Sequence, residues 1–235
     1  MKKVIITGAA GGIGQALTNR LLKAGYQVIA VDNNKDKLGN FSSHPNLTLA
    51  CVDVTDYQAV EIFFTNISAQ SLYGLVNNAG VYNALSLLDY DESAIDRVLQ
   101  INIKGATIFS KFFIQHLIDK ETQGRIINIS SISGQEGSSD ALYGLSKAAL
   151  LGLTKSLALR FSPQVLVNAV APTMVDTEMM ATIPEWRKKE YQQHHLIKDP
   201  VLPSDVADTV HFLLSEESSH YTGATFDLNN GGYLR

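Results

Sequence analysis

Val4-Ile5-Ile6-Thr7-Gly8-Ala9-Ala10-Gly11-Gly12-Ile13-Gly14 is the stretch from which the rest of the chain can be placed. A short β-branched run ends in a cluster of glycines, and from Ile13 to Ala24 the apolar residues recur at helical spacing. The order is strand, glycine turn, helix. Glycines permit positive φ and let the backbone approach a bound diphosphate, while the unpaired amides at a helix N-terminus present partial positive charge. Gly8, Gly12 and Gly14 therefore suit the pyrophosphate of a dinucleotide, with a purely structural tight turn as the alternative.

The next strand, Gln27 to Val31, ends on Asp32, eighteen residues after Gly14. Dinucleotide-binding units place an acid near this spacing to hold the adenosine ribose. An aspartate there accepts from the 2′ and 3′ hydroxyls and repels a 2′-phosphate, so NAD(H) is expected over NADP(H). The same side chain can open the turn Asp32-Asn33-Asn34.

Working outward, strand signals recur at Leu47–Val52, Gly74–Val76, Arg125–Ile129, Val165–Val170 and Ala224–Leu228. Helical patterns fill the intervals at Asp56–Ile67, Asp91–Ile101, Lys104–Ile118 and Tyr143–Leu159, and a last one runs to Leu214 with Pro203 or Ser204 in its first turn. This alternation predicts an α/β fold, a single-domain, doubly wound, Rossmann-type parallel sheet of about seven strands with helices on both faces, spanning residues 1–235. Asp176 to Pro200 carries Met179, Met180, Trp186 and mixed charge but little strand signal, and so reads as an inserted helical flap at about 176–200.

In such a sheet the strand ends face the ligand crevice. Asp53, after the third strand, is expected either to contact the adenine amino group or to cap the helix that follows, with Thr55 competing for the cap. Asn77-Asn78-Ala79-Gly80 puts small and amide residues after the fourth strand, and Asn77 is expected to cross-link neighbouring segments. Asn102 falls within a helical tract, where an amide is unfavourable unless something uses it. Ser131 lies just past the fifth strand, twelve residues before Tyr143. Tyr143 and Lys147 are four apart on a helix, about 400° of rotation, so phenol and ammonium share a face. A cation a few ångströms away favours the phenolate and should lower the tyrosine pKa, which makes a proton-transfer device.

The net charge of −4 with both signs scattered gives no basic face for nucleic acid. Met1-Lys2-Lys3 precedes an apolar run that stops at Thr7, too short for a signal peptide, and no stretch approaches a membrane span. A soluble cytoplasmic protein is expected. Cys51, the only cysteine, reads as a small buried hydrophobe. His194-His195 has no third ligand at suitable spacing, so no metal is expected and surface polarity is the better account. Arg187-Lys188-Lys189 reads as a solvated helix face rather than a contact for an acyl carrier protein or a coenzyme A phosphate.

Thr7-Gly8-x-x-x-Gly12-x-Gly14, Asn77-Asn78-Ala79-Gly80, Asn102, Ser131, Tyr143-x-x-x-Lys147 and the Pro172–Thr177 segment, in this order, resemble the short-chain dehydrogenase/reductase family. The likeness runs from Val4 to Gly232. It implies that Tyr143 is the general acid when a ketone is reduced and the base when a secondary alcohol is oxidised. Lys147 would lower its pKa and bond the nicotinamide ribose, Ser131 would donate to the substrate carbonyl, and Asn102 would bend its helix to hold a water. Gly8, Gly12, Ile13, Gly14, Asp32, Asp53, Val54, Asn78, Ala79, Gly80, Pro172, Val175 and Thr177, with Tyr143 and Lys147, match positions along the dinucleotide. A homotetramer or homodimer is implied, with the helices around Asn102–Ile118 and Tyr143–Leu159 packed across a two-fold axis.

Three departures from the family pattern stand out. Thr173 occupies the position where glycine usually follows the proline, and Asn230 replaces the aspartate before Gly231-Gly232. The Ser131-to-Tyr143 interval is one residue shorter than the commonest, which keeps Ser130 in view as the donor. The expected activity is an NAD(H)-dependent oxidoreductase acting on a small-molecule alcohol or ketone. A 3-oxoacyl-thioester (acyl carrier protein) reductase is the alternative, and a catalytically silent dinucleotide-binding regulator a more distant one. Asp32, and the lack of Arg or Lys in Ala9-Ala10-Gly11 and Asn33-Asn34, count against the NADPH that such reductases generally use.

Overall fold

The computed structural model describes residues 1–183 and 185–234; Pro184 in the flap and the terminal Arg235 lie outside it. Its elements, in chain order, are β1 (Lys3–Thr7), α1 (Gly12–Lys23), β2 (Gln27–Asp32), α2 (Lys35–Gly39), β3 (Leu47–Cys51), α3 (Tyr57–Asn66), β4 (Gly74–Asn77), α4 (Glu92–Leu99), α5 (Ala106–Asp119), β5 (Gly124–Ile129), α6 (Ser133–Glu136), α7 (Ala141–Phe161), β6 (Val165–Pro172), α8 (Glu185–His194), α9 (Pro203–Leu214) and β7 (Thr225–Leu228). The seven strands form one sheet in the order β3-β2-β1-β4-β5-β6-β7, every pair parallel.

Alternation along β1 shows why two layers of helix are needed. Ile5 points into one apolar cluster, with Ile29, Leu75 and Ile126 beneath Phe63, Phe64, Phe109 and Phe113 of α3 and α5. Val4 and Ile6 point into the other, with Val28 beneath Leu17 and Leu21 of α1 and Val206, Val210 and Leu213 of α9. A strand apolar on both faces is stable only with both faces covered, and each such side chain contributes about 1.5–3 kcal/mol on burial. Strand order reverses between β1 and β4, which opens a crevice at their carboxyl ends.

Three expectations are corrected by local geometry. Cys51 is exposed, with Sγ 3.7 Å from the Asn33 carbonyl, because β3 is an edge strand on which Thr48, Leu49 and Cys51 all face water. Neither Asp53 nor Thr55 caps α3: Asp56 does, accepting from the amides of Gln58 and Ala59 at 2.9 and 3.0 Å. The helix carrying Tyr143 begins earlier than its apolar run, because Asp140 caps it by accepting from the Tyr143 amide at 3.0 Å.

The segment after β6 leaves the sheet and returns to it at one point. Val175 bridges Val201, and the Asp176 amide donates to the Val201 carbonyl at 3.0 Å. Between them lie a 3₁₀ turn at Glu178–Thr182 and α8, none of whose described residues is buried. No helix among the described residues is long and apolar enough to cross a membrane.

Candidate active site

A cleft of about 440 Å³ lies across the carboxyl ends of the central strands. The glycine turn forms one wall. Gly8 has φ +63°, the left-handed region, and a Cβ on Gly14 would fall 2.2 Å from the Gly8 carbonyl, so only glycine closes this turn. Gly11, ahead of α1, contributes no side-chain cap, which leaves the first-turn amides for an anion. Thr7 Oγ1 accepts from the Asn78 and Ala79 amides at 3.0 and 3.1 Å, and Asn78 Nδ2 donates to the Thr7 and Gly8 carbonyls at 3.0 and 2.9 Å. The ends of β1 and β4 are thus tied together.

Asp32 closes the cleft at the far side of the turn, accepting from the Ala10 amide at 3.0 Å and the Asn34 amide at 2.9 Å. Asp53 Oδ1 accepts from both the amide and hydroxyl of Thr55 at 2.8 Å. Burial acts to raise its pKa, but those bonds and one from Asn33 prevail and hold the carboxyl below its ordinary range. Gly8, Gly12, Ile13, Gly14, Asp32, Asp53, Val54, Asn78, Ala79, Gly80, Pro172, Val175 and Thr177 all line this one cleft. A tight glycine turn with open amides and a carboxylate beside it fit the diphosphate and adenosine ribose of a dinucleotide.

At the other end, Ser131, Tyr143 and Lys147 converge on the same cleft. Ser131 faces the Tyr143 phenol and favours its ionised form, and its own Oγ lies 3.4 Å from the Pro172 carbonyl. Ser130 is turned away and donates to the Lys147 carbonyl at 2.8 Å. Lys147 Nζ donates to the Ile129 carbonyl at 2.8 Å and sits 5.6 Å from the centre of the Tyr143 ring. Asn102 is buried behind them on a π-helical turn, Gln100–Gly105, which joins α4 to α5. Its amide accepts from Val81 N at 2.8 Å and donates to Val81 O at 3.0 Å and Ser146 Oγ at 2.9 Å.

The expected lowering of the Tyr143 pKa is not found. Burial pushes the phenol up to about 12; Ser131 pulls it down, while Tyr82, Tyr191 and Asp140 add to the rise. Burial likewise pushes Lys147 down to about 8. Desolvation opposes the charged form of each group, and the Lys147 ammonium spends its bond on a carbonyl rather than on the phenol.

His195 is a further correction, since it is buried and not a surface residue, with Nε2 2.8 Å from Thr173 Oγ1. In the basic run, Arg187 pairs with Glu190 at 2.6 Å and Lys188 with Glu185 at 2.7 Å, both within α8. Asn77 does cross-link, donating to Ser110 Oγ and Asn128 Oδ1 at 3.0 and 2.8 Å. Tyr82 and Tyr191 also line the cleft and carried no signal in the sequence beyond their aromatic character. Tyr82 lies edge-on to Tyr143, ring centres 4.8 Å apart.

Fold and site define a doubly wound α/β oxidoreductase built around a dinucleotide cleft. The chain belongs to the short chain dehydrogenase family, whose sequence pattern matches residues 2–188. It is 35% identical to the 3-oxoacyl-acyl-carrier-protein reductase FabG of Rickettsia typhi, over 98% of this chain and 96% of that one. It is 32% identical to the L-xylulose reductase of Mus musculus over 99% and 96%. Among solved structures, a 4-hydroxyisoleucine dehydrogenase complexed with NADH superposes with a TM-score of 0.92 at 27% identity, covering 99% of this chain and 98% of that one. The protein is accordingly an oxidoreductase acting on CH–OH or keto groups with NAD(P).

Proposed function

We propose that the protein interconverts a secondary alcohol and a ketone with NAD(H), with Tyr143 as general acid/base. The observation that carries this reading is the convergence of the Tyr143 phenol, the Ser131 hydroxyl and Lys147 at one end of a cleft whose other end is closed by Asp32. The bound dinucleotide supplies or takes up the hydride.

The protein's own residues handle the oxygen and the proton. Ser131 directs its hydroxyl to the substrate carbonyl in exchange for a long 3.4 Å contact with the Pro172 carbonyl, whereas Ser130 is held at 2.8 Å by the Lys147 carbonyl. Tyr143, held protonated by burial, donates to that oxygen as the ketone is reduced and recovers a proton afterwards. Lys147 anchors the nicotinamide ribose, and Asn102 fixes the helix bend behind it. Asp32 holds the adenosine ribose and turns away a 2′-phosphate, which favours NAD over NADP.

The names of relatives at 34–35% identity favour a second reading, reduction of a 3-oxoacyl thioester. Asp32 is the discriminating residue. The intact Asn102, Ser131, Tyr143, Lys147 set speaks against a silent binder. As part of the proposal, the chain is one domain with a flap at about 176–200, works in the cytoplasm, and assembles as a homotetramer or homodimer through α5 and α7. On α7, Leu145 and Leu159 are 55% and 91% exposed, in keeping with such a contact. Sedimentation as a stable monomer would refute the assembly.

The test is Tyr143→Phe assayed with NADH across a panel of ketones that includes 3-oxo esters. Turnover should fall by roughly 10²–10⁴ while NADH still binds. A variant that keeps the wild-type rate removes Tyr143 from the chemistry.

A further inference from the structure

Among the described residues between Asp176 and Pro200, His195 alone is buried, 6% exposed. Its Nε2 lies 2.8 Å from the hydroxyl of Thr173, also 6% exposed, which lines the cleft. Thr173 stands where the family pattern has glycine, so the hydroxyl that His195 meets is brought by the departure itself. A buried hydroxyl or imidazole left without a partner is penalised, so each of these two residues requires the other. The second departure lies beside the first. The Asn230 carbonyl accepts from the Leu196 and Ile197 amides at 2.8 and 3.1 Å, and Asn230 Nδ2 donates to the Asp199 carbonyl at 2.8 Å. The ring of His195 rests on Gly232, where a Cβ would come within 2.8 Å of Cδ2.

The His195 amide bonds the Tyr191 carbonyl at 3.1 Å, continuing the helical turn of α8. Residues four apart on a helix share a face, so fixing His195 fixes the direction of Tyr191. Tyr191 lines the cleft and is braced from behind by Arg187, whose guanidinium lies 4.6 Å from the ring centre.

We propose that Thr173 and His195 form a coupled anchor that sets the rotation of α8, so that Tyr191 is presented to the substrate end of the cleft. His195 is thus a positioning residue for the flap, acting through Tyr191. This inference rests on the reading of the cleft as the active site only for its consequence for the substrate, not for the anchor itself.

The test reads the two separately. Trypsin can cut α8 at Arg187, Lys188 and Lys189, and hydrogen exchange reports on the same helix. In the full-length protein without ligand, His195→Ala should raise cutting and exchange in residues 185–194 roughly tenfold with the sheet unchanged, as one lost hydrogen bond of about 1.4 kcal/mol predicts. Thr173→Val, close in shape but without the hydroxyl, should do the same, the double variant should be no worse than either single one, and His195→Gln should restore protection. With whichever ketone the panel shows to be turned over, His195→Ala should raise KM several-fold while NADH affinity stays within twofold. Unchanged exchange in α8, or single effects that simply add, overturns the anchor. Should His195→Ala fail to fold, His195→Gln and Thr173→Val carry the decision: no protection by the first or no loosening by the second overturns it. Failure of the wild type to bind NADH overturns the proposed function and leaves the exchange result standing.

Discussion

Lys147→Met should make the cofactor-free protein more stable near neutral pH while abolishing turnover. The side chain is enclosed, and burial pushes its pKa from 10.5 down to about 8. That difference corresponds to about 3 kcal/mol held against the folded state whenever the ammonium is present. Methionine removes the charge and keeps most of the volume, but forfeits the bond to the Ile129 carbonyl, about 1–2 kcal/mol. A net gain of about 1–2 kcal/mol remains. The sign of the pH dependence follows from the depressed pKa of a base. Below about 8 both folded and unfolded wild type carry the proton and the penalty is complete; as pH rises from about 8 towards 10.5 the folded state sheds its proton first, and the penalty fades. Urea denaturation of both proteins without cofactor, from about pH 7 to 10, should show the advantage of the variant shrinking and then reversing. A variant less stable than wild type by the same amount at every pH would refute a strained buried ammonium.

Three further outcomes are expected. Asp32→Ser should reduce the preference for NAD over NADP, measured as the ratio of kcat/KM values; an unchanged ratio means that the ribose is held elsewhere. Asn102→Ala removes three side-chain hydrogen bonds in a buried position and should cost about 2–3 kcal/mol in thermal unfolding, with a fall in turnover. The rise of Tyr143 to about 12 predicts that this phenol stays protonated from 10 upward while unfolded tyrosine ionises, so stability from this group is lost as pH climbs from 10 towards 12; spectrophotometric titration of wild type against Tyr143→Phe would show it.

The fold was readable because its signals are local. Val4 to Gly14 carries a strand, a turn and a helix start in eleven consecutive residues, and the later strand ends repeat the pattern. The candidate residues line one cleft because a parallel sheet sends its strand ends to one side. What escaped depends on contacts between distant segments. Cys51 looked buried because its run is apolar, yet only the sheet order reveals β3 as an edge. His195 looked like surface polarity because its partner Thr173 is twenty-two residues away. Spacing put Lys147 beside Tyr143, but the sign of the pKa shifts depends on burial of both groups in the folded protein, which no spacing encodes. The short α2 hides in a polar stretch, Lys35–Gly39, with a single buried leucine, Leu38.

Because Val175 and Val201 close the base of the excursion from Asp176 to Pro200, the sheet and both its cores are complete without the residues in between. That stretch behaves as a replaceable cassette. Its length and chemistry can drift, or be exchanged for those of another member of the family, without disturbing the strand register below. Such a graft would retune what the enzyme accepts only if its return limb still finds a footing on Thr173 and Asn230.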